Sequence, residues 1–179
     1  VNSVLDRVQF VERVVELDRK QPEFTRSFAQ YYNARVTDGR VAKGREMLAE
    51  HAELLARVYL ASGVPPRYLV AFWGLETNFG SYIGNMAVPS SLVTLACDAR
   101  RSDFFTAELL DALKIVDAGD VSAEQLVGSW AGAMGQMQFM PSTFQRYSVD
   151  GDGDGRRDPW TSIPDALTSA GLFLKALGW

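Results

Sequence analysis

The apolar positions of this chain repeat mostly at helical spacing. Over residues 5–18 the pattern puts Val8, Val11, Val15 and Leu17 near one face and predicts a first helix. Pro22 is placed to open a second, carrying Phe24, Phe28, Tyr31 and Tyr32. Thr37 or Asp38 can cap a long third helix reaching about Ala61, with Leu48, Leu55 and Val58 turned inward. Gly63 ends it, and Pro65-Pro66 open a fourth that runs to about Phe79 and stops at Gly80. Further helices are expected over 91–97, 102–116, 141–147 and 164–177, with a turn at 117–120. Strand alternation is weak and predicts at most a short ribbon beside an acidic loop at 150–158. No repeat, linker or low-complexity tract interrupts the pattern, so the expected fold class is mainly α.

Composition narrows this picture. The 179 residues are 47% apolar and 22% charged, enough for a core that needs neither metal nor disulfide to fold. A net charge of −4 with no basic stripe argues against nucleic acid and against acidic membrane surfaces as partners. Cys97 is the single cysteine, so no internal disulfide can form, and its neighbours Leu95 and Ala96 suggest a buried small hydrophobe. His51 is the single histidine; this excludes a His-rich zinc site and leaves a Ser-His-Asp triad only that residue to use. No apolar run approaches the roughly 20 residues that span a bilayer. The chain starts at Val1 without Met and stops inside a helical pattern at Trp179, as a trimmed piece of a longer protein would.

Three segments carry candidate chemistry. In the fourth helix Leu69, Phe72, Trp73 and Glu76 fall on one face, so a carboxylate stands where a core residue is expected. No Lys or Arg occurs between Tyr68 and Asp98 to pair with it locally. Desolvation and the negative end of the helix dipole would both raise its pKa, as a general acid requires. On spacing alone Glu76 could equally be an exposed helix-end residue or the partner of a distant arginine. The second segment, residues 129–141, is rich in Gly and Ala, which permit close approach of a ligand or of another helix. Ser129 and Gln138 could hold sugar hydroxyls, and Met134, Met137 and Met140 supply adaptable apolar surface, for a groove or for a core. No Gly-Lys-Ser/Thr follows, which argues against a phosphate loop. The third segment places Asp150, Asp152 and Asp154 at loop positions 1, 3 and 5 with Gly155 at 6, the beginning of an EF-hand loop. Hard oxygens at that spacing favour Ca²⁺ over a merely solvated acidic turn. Thr161 stands at position 12, where a bidentate Glu is usual; Asp158 at position 9 and Asp165 at position 16 are the further candidates.

In this order the segments resemble the B-type lytic murein transglycosylases of bacteria, glycoside hydrolase family 103. The matching motifs are Phe72-Trp73-Gly74-Leu75-Glu76-Thr77, residues 129–142, the Asp150 loop and the closing Leu177-Gly178-Trp179. The resemblance implies a lysozyme-like helical domain with an EF-hand-like calcium loop. It further implies an N-terminal helical part over 1–64, a catalytic core over 65–179 that includes the loop at 150–165, and a chain truncated at its C-terminus. Glu76 would be the sole catalytic carboxylate, acting on the bond between N-acetylmuramic acid and N-acetylglucosamine and leaving a 1,6-anhydro end. Ser129, Gln138, Tyr31, Tyr32, Met134 and Phe173 would contact substrate, Phe173 standing with Leu172 where many members carry Asn-Tyr. Asp150, Asp152, Asp154, the Arg156 carbonyl, Asp158 and Asp165 would hold a structural Ca²⁺, with no organic cofactor. The implied partners are peptidoglycan strands and the cell-wall synthesis machinery, and the implied state a monomer in the bacterial periplasm or envelope. A hydrolytic muramidase and a non-catalytic glycan-binding module are the alternatives.

Overall fold

The computed structural model describes residues 2–20 and 26–179. The predicted start of a helix at Pro22, and Phe24, lie outside the described residues. The elements run α1 (Asn2–Leu5), α2 (Glu12–Arg19), α3 (Phe28–Arg35), α4 (Asp38–Glu50), α5 (Ala52–Ser62), α6 (Pro66–Thr77), β1 (Met86–Ala87), α7 (Val88–Ala96), α8 (Ser102–Asp117), β2 (Val127–Gly128), α9 (Pro141–Tyr147) and α10 (Ile163–Ala176). No helix among the described residues is long and apolar enough to cross a membrane.

Local chemistry sets most boundaries. Ser27 and Gln30 form a reciprocal capping box at the start of α3, and the Thr37 hydroxyl accepts from the Arg40 N–H at the start of α4. Pro66 occupies the first turn of α6, whose end is turned by Asn78 and Phe79, both at positive φ.

Two apolar clusters form the core. The first joins Leu55 and Val58 of α5, Leu69 and Trp73 of α6, and Leu167 and Ala170 of α10. It therefore draws on both sides of residue 64. The second joins Val14 of α2, Leu92 of α7, Phe105 and Ile115 of α8 and Phe144 of α9. Residues 134–139 lie across the seam: Met134 belongs to the second cluster, while Met137 and Phe139 belong to the first. Burying each of these side chains contributes roughly 1.5–3 kcal/mol, so the segment is anchored at both ends. Met134 and Phe139 also exchange backbone hydrogen bonds of 2.8 and 2.9 Å.

The structure corrects several expectations. The first predicted helix is two helices, and its buried face is Val14 and Asp18 rather than Val8, Val11 and Val15. Asp18 is buried because Arg100 and Arg101 both pair with it. The long third helix breaks at His51 (φ −104°, ψ 23°), whose ring packs 5.7 Å from that of Trp73. The ribbon is not made by the loop's own flanks: β1 pairs antiparallel with β2, Met86 opposite Gly128, and Val127 of β2 shares a hollow with Arg156 and Asp158 of the loop. Cys97 is exposed, because it caps α7 where the chain turns outward.

Candidate active site

Glu76 lies on the last turn of α6 and opens into a cavity of about 300 Å³. Ser129 and Gln138 line the same cavity, so three of the residues singled out in the sequence converge there. The remaining walls come from Leu17 of α2, Tyr82 and Asn85 from the loop after α6, and Trp130. Gly84 lets that loop lie against β2: it sits at φ +87°, and a Cβ there would meet the Gly128 carbonyl oxygen at 2.1 Å.

Glu76 is less buried than the helical pattern predicts. Leu69 and Trp73 point into the core, whereas Glu76 stands at the edge of that face with much of its surface open to the cavity. Its carboxyl is nevertheless crowded by the concave wall. Desolvation raises its pKa above the ordinary carboxylate value, and the positive charge of Arg35 pulls it partly back. No hydrogen-bond donor among the described residues reaches it, and among them Arg35 is the charge that favours the ionised form. Arg35 comes from α3, some forty positions earlier in the chain, and neighbour rules on α6 could not have found it.

The polar neighbours are held by their backbones and keep capacity to spare. The Ser129 hydroxyl oxygen accepts from the Ala131 and Ala133 N–H groups at 3.3 and 3.1 Å, leaving its proton free to donate. Gln138, at φ 48°, donates its amide to the Ile83 and Gly135 carbonyls, both at 3.1 Å, leaving its own carbonyl free to accept. Such a set can grip sugar hydroxyls in both senses.

Other predicted contacts fall elsewhere. Met134 is only 1% exposed and packs in the second cluster, outside the residues that line the cavity. Phe173 sits in a ring cluster with Phe72, Phe139 and Tyr147, off the Glu76 cavity. Tyr31 and Tyr32 are exposed on α3 outside the cavity, Tyr31 with Arg35 stacked 5.4 Å from its ring centre. Tyr82, Asn85 and Trp130 are wall residues that sequence reasoning missed; the only local signal was the bracketing of Tyr82 by Gly80 and Gly84. A second hollow of about 280 Å³ lies on the other flank of α6, rimmed by Arg35, Arg40, Arg45 and Arg67. Among the described residues no carboxylate lines it, so it offers no acid.

In the acidic loop, carboxylate oxygens of Asp150, Asp152 and Asp154 lie within 4.8 Å of one another. Asp150 accepts backbone N–H groups from Gly153, Asp154 and Gly155 at 2.6, 3.1 and 2.7 Å, which hold its pKa below the ordinary value, Gly155 foremost. Three hard oxygens so gathered fit Ca²⁺ or a similar cation. Asp158 instead caps the turn after the loop. It accepts from the Trp160 and Thr161 N–H groups, both at 3.0 Å, and from the Thr161 hydroxyl. Asp165, 1% exposed, takes the Gly151 and Asp158 N–H groups at 2.7 and 2.6 Å and so closes the loop onto α10.

Comparison with known proteins extends this geometry. The family model described as transglycosylase SLT domain matches residues 1–179. Membrane-bound lytic murein transglycosylase B of Escherichia coli (strain K12) is 34% identical over 154 residues, covering 86% of this chain and 42% of that protein. SltB3 from Pseudomonas aeruginosa, solved in complex with NAG-NAM-pentapeptide and with NAG-anhNAM-pentapeptide, superposes with a TM-score of 0.93 at 49% identity, over 98% of this chain and 47% of that one. The Escherichia coli lytic transglycosylase Slt35 in complex with calcium superposes with a TM-score of 0.88 at 32% identity, over 99% of this chain and 56% of that one. The chain thus spans less than half the length of the first two relatives.

Proposed function

The chain belongs to the transglycosylase SLT domain family, and from that premise we propose that it cleaves peptidoglycan glycan strands with Glu76 as acid and then base. The observation that carries this reading is that Glu76, with its raised pKa, is the one carboxylate among the described residues lining a cavity it shares with Ser129 and Gln138. Glu76 donates its proton to the bridging oxygen between N-acetylmuramic acid and N-acetylglucosamine as that bond breaks. It then takes the proton of the muramic C6 hydroxyl, whose oxygen attacks C1 and closes a 1,6-anhydro ring. One proton is given and one returned, and no water is consumed.

Glycosidases that use water ordinarily need two carboxylates, one to protonate the leaving group and one to activate water or attack the sugar. The single carboxylate that the described residues bring to this cavity therefore favours the intramolecular route over a muramidase. The complex of SltB3 with NAG-anhNAM-pentapeptide lends it further support, since the anhydro sugar is the product of that route. Ser129 and Gln138 position sugar hydroxyls, and Tyr31, Tyr32 and Phe173 are assigned to the outer reaches of the strand.

In the loop, Asp150, Asp152 and Asp154 would hold Ca²⁺, closed by the Arg156 carbonyl and Asp165. The ion would neutralise three gathered charges and stiffen the approach to α10. The same reading places the protein in the bacterial envelope, where its substrate is. The test is digestion of purified sacculi with the full-length protein and with Glu76→Gln, followed by mass spectrometry. Products lighter by one water than hydrolysed muropeptides are expected from the first and none from the second; hydrated ends would assign a muramidase, and binding without turnover a glycan-binding module.

A further inference from the structure

Gln136 has no place in the chemistry just described, yet it is buried and touches the helix of Glu76 on both sides of that residue. Its side-chain carbonyl oxygen accepts the indole N–H of Trp73 at 3.0 Å, three positions before Glu76. Its backbone carbonyl accepts the Thr77 hydroxyl at 2.7 Å, one position after. The Thr77 hydroxyl in turn receives the Gly80 N–H at 3.0 Å. Gly80 lies against the Gln136 amide so closely that a Cβ there would meet its oxygen at 2.5 Å. On the opposite side Gln136 is tied to the segment that follows the acidic loop: its N–H donates to the Pro159 carbonyl at 2.9 Å and its amide nitrogen to that of Trp160 at 3.4 Å. Trp160 also donates its indole N–H to the Val127 carbonyl at 3.0 Å, next to the strand end that leads to Ser129.

We propose that Gln136 is a positioning residue for Glu76, clamping the last turn of α6 through Trp73 and Thr77 against the frame that also carries Ser129. The need for such a clamp follows from the local structure. The Glu76 carboxylate has no hydrogen bond among the described residues to fix it, and it sits where the helix is ending, two residues before the chain enters the left-handed region at Asn78. The orientation of its carboxyl toward a glycosidic oxygen is therefore set by the backbone turn that bears it. Of the bonds on this turn, those of Gln136 are the ones that connect it to the other wall of the cavity. A shift of about 1 Å at a reacting group costs up to about a hundredfold in rate.

This inference rests on Glu76 being the acid, and the experiment separates the two. Turnover of soluble glycan strands by the full-length protein is measured for Gln136→Met, Trp73→Phe, the double variant, and Glu76→Gln. Gln136→Met keeps the bulk of the side chain and removes its bonds to Trp73 and Trp160, while the backbone bonds to Thr77 and Pro159 remain. The expected result is a fall in kcat of about tenfold or more with KM little changed. The double variant should be no worse than the worse single one, because both break the same connection. Full kcat in Gln136→Met, a loss confined to KM, or multiplying losses in the double variant would each overturn the clamp. Should Gln136→Met fail to fold, Thr77→Val and Thr77→Ser give the same decision: the clamp requires Val to lose kcat and Ser, which keeps the hydroxyl, to restore it. If Glu76→Gln turns over normally, it is the assignment of the acid that fails; if Glu76→Gln is inactive while the clamp variants are normal, only the clamp fails.

Discussion

The end of α6 and the loop at 150–158 treat carboxylates in opposite ways. Glu76 is crowded by its cavity and receives no hydrogen bond from the described residues, so its protonated form is favoured and its pKa rises. Asp150 is open to solvent and receives three backbone N–H groups, so its ionised form is favoured and its pKa falls. The lesson is that exposure alone does not decide the charge state. What shifts each group is the balance between desolvation, which leads at Glu76, and backbone donors, which lead at Asp150. At the end of a helix the free groups are carbonyls, which cannot donate; a loop folded round glycines presents successive N–H groups. The first arrangement suits a group that must carry a proton, and the second suits groups that must stay charged beside a cation.

The largest expected effect tests the first half of that contrast. Glu76→Gln should reduce turnover by about 10²–10⁴-fold, the range ascribed to general acid–base catalysis, measured as anhydro product released from sacculi. It should also slightly raise the melting temperature at neutral pH. A raised folded-state pKa contributes stability that is full below the unfolded-state pKa and is lost as pH rises through the folded value, so at neutral pH the ionised Glu76 is unfavourable and glutamine is not. A lowered melting temperature would contradict the desolvated environment assigned to it.

The second half is tested by calcium. Added Ca²⁺ at a hundred times its dissociation constant should stabilise the fold by about 2.7 kcal/mol, read as a rise in melting temperature that a chelator reverses. Asp150→Ala should abolish that response; a response that survives would place the ion elsewhere. A smaller effect is expected from Ser129→Ala, which deprives the Ala131 and Ala133 N–H groups of their acceptor. It should cost about 1–3 kcal/mol of stability and lower turnover as the turn loosens, measured by denaturant unfolding and product release. The smallest and most specific effect is that of Arg35→Gln. Arg35 holds the Glu76 pKa down, so its removal should let that pKa rise and carry the alkaline limb of the pH–rate profile to higher pH. A limb that moves to lower pH, or does not move, would show that Arg35 is not the charge Glu76 senses.

Much of this was readable in one dimension because short-range rules govern it. The 3.6-residue repeat locates α6, and a Glu at the edge of its apolar face marks the candidate site. Alternating Asp with Gly at the sixth position announces the loop, since its geometry is made by neighbours in the chain. The resemblance to the B-type transglycosylases rested on motifs of the same local kind, and membership of the SLT domain family bears it out.

The sequence alone thus determined the helical class, the Glu76 helix, the Ser129 and Gln138 segment and the aspartate loop, each through contacts only a few residues apart. Tertiary structure decided how far Glu76 is exposed, because that depends on the loop carrying Tyr82 and on Leu17 of α2. It decided that Met134 faces a core, because residues 134–139 straddle two apolar clusters with different needs. It also decided that Arg35 is the charge near Glu76, 41 positions away, and that Gln136 grips its helix at Trp73 and Thr77, 63 and 59 positions away. Pairing across such distances is settled by the packing of whole elements, and no local rule of spacing carries that information.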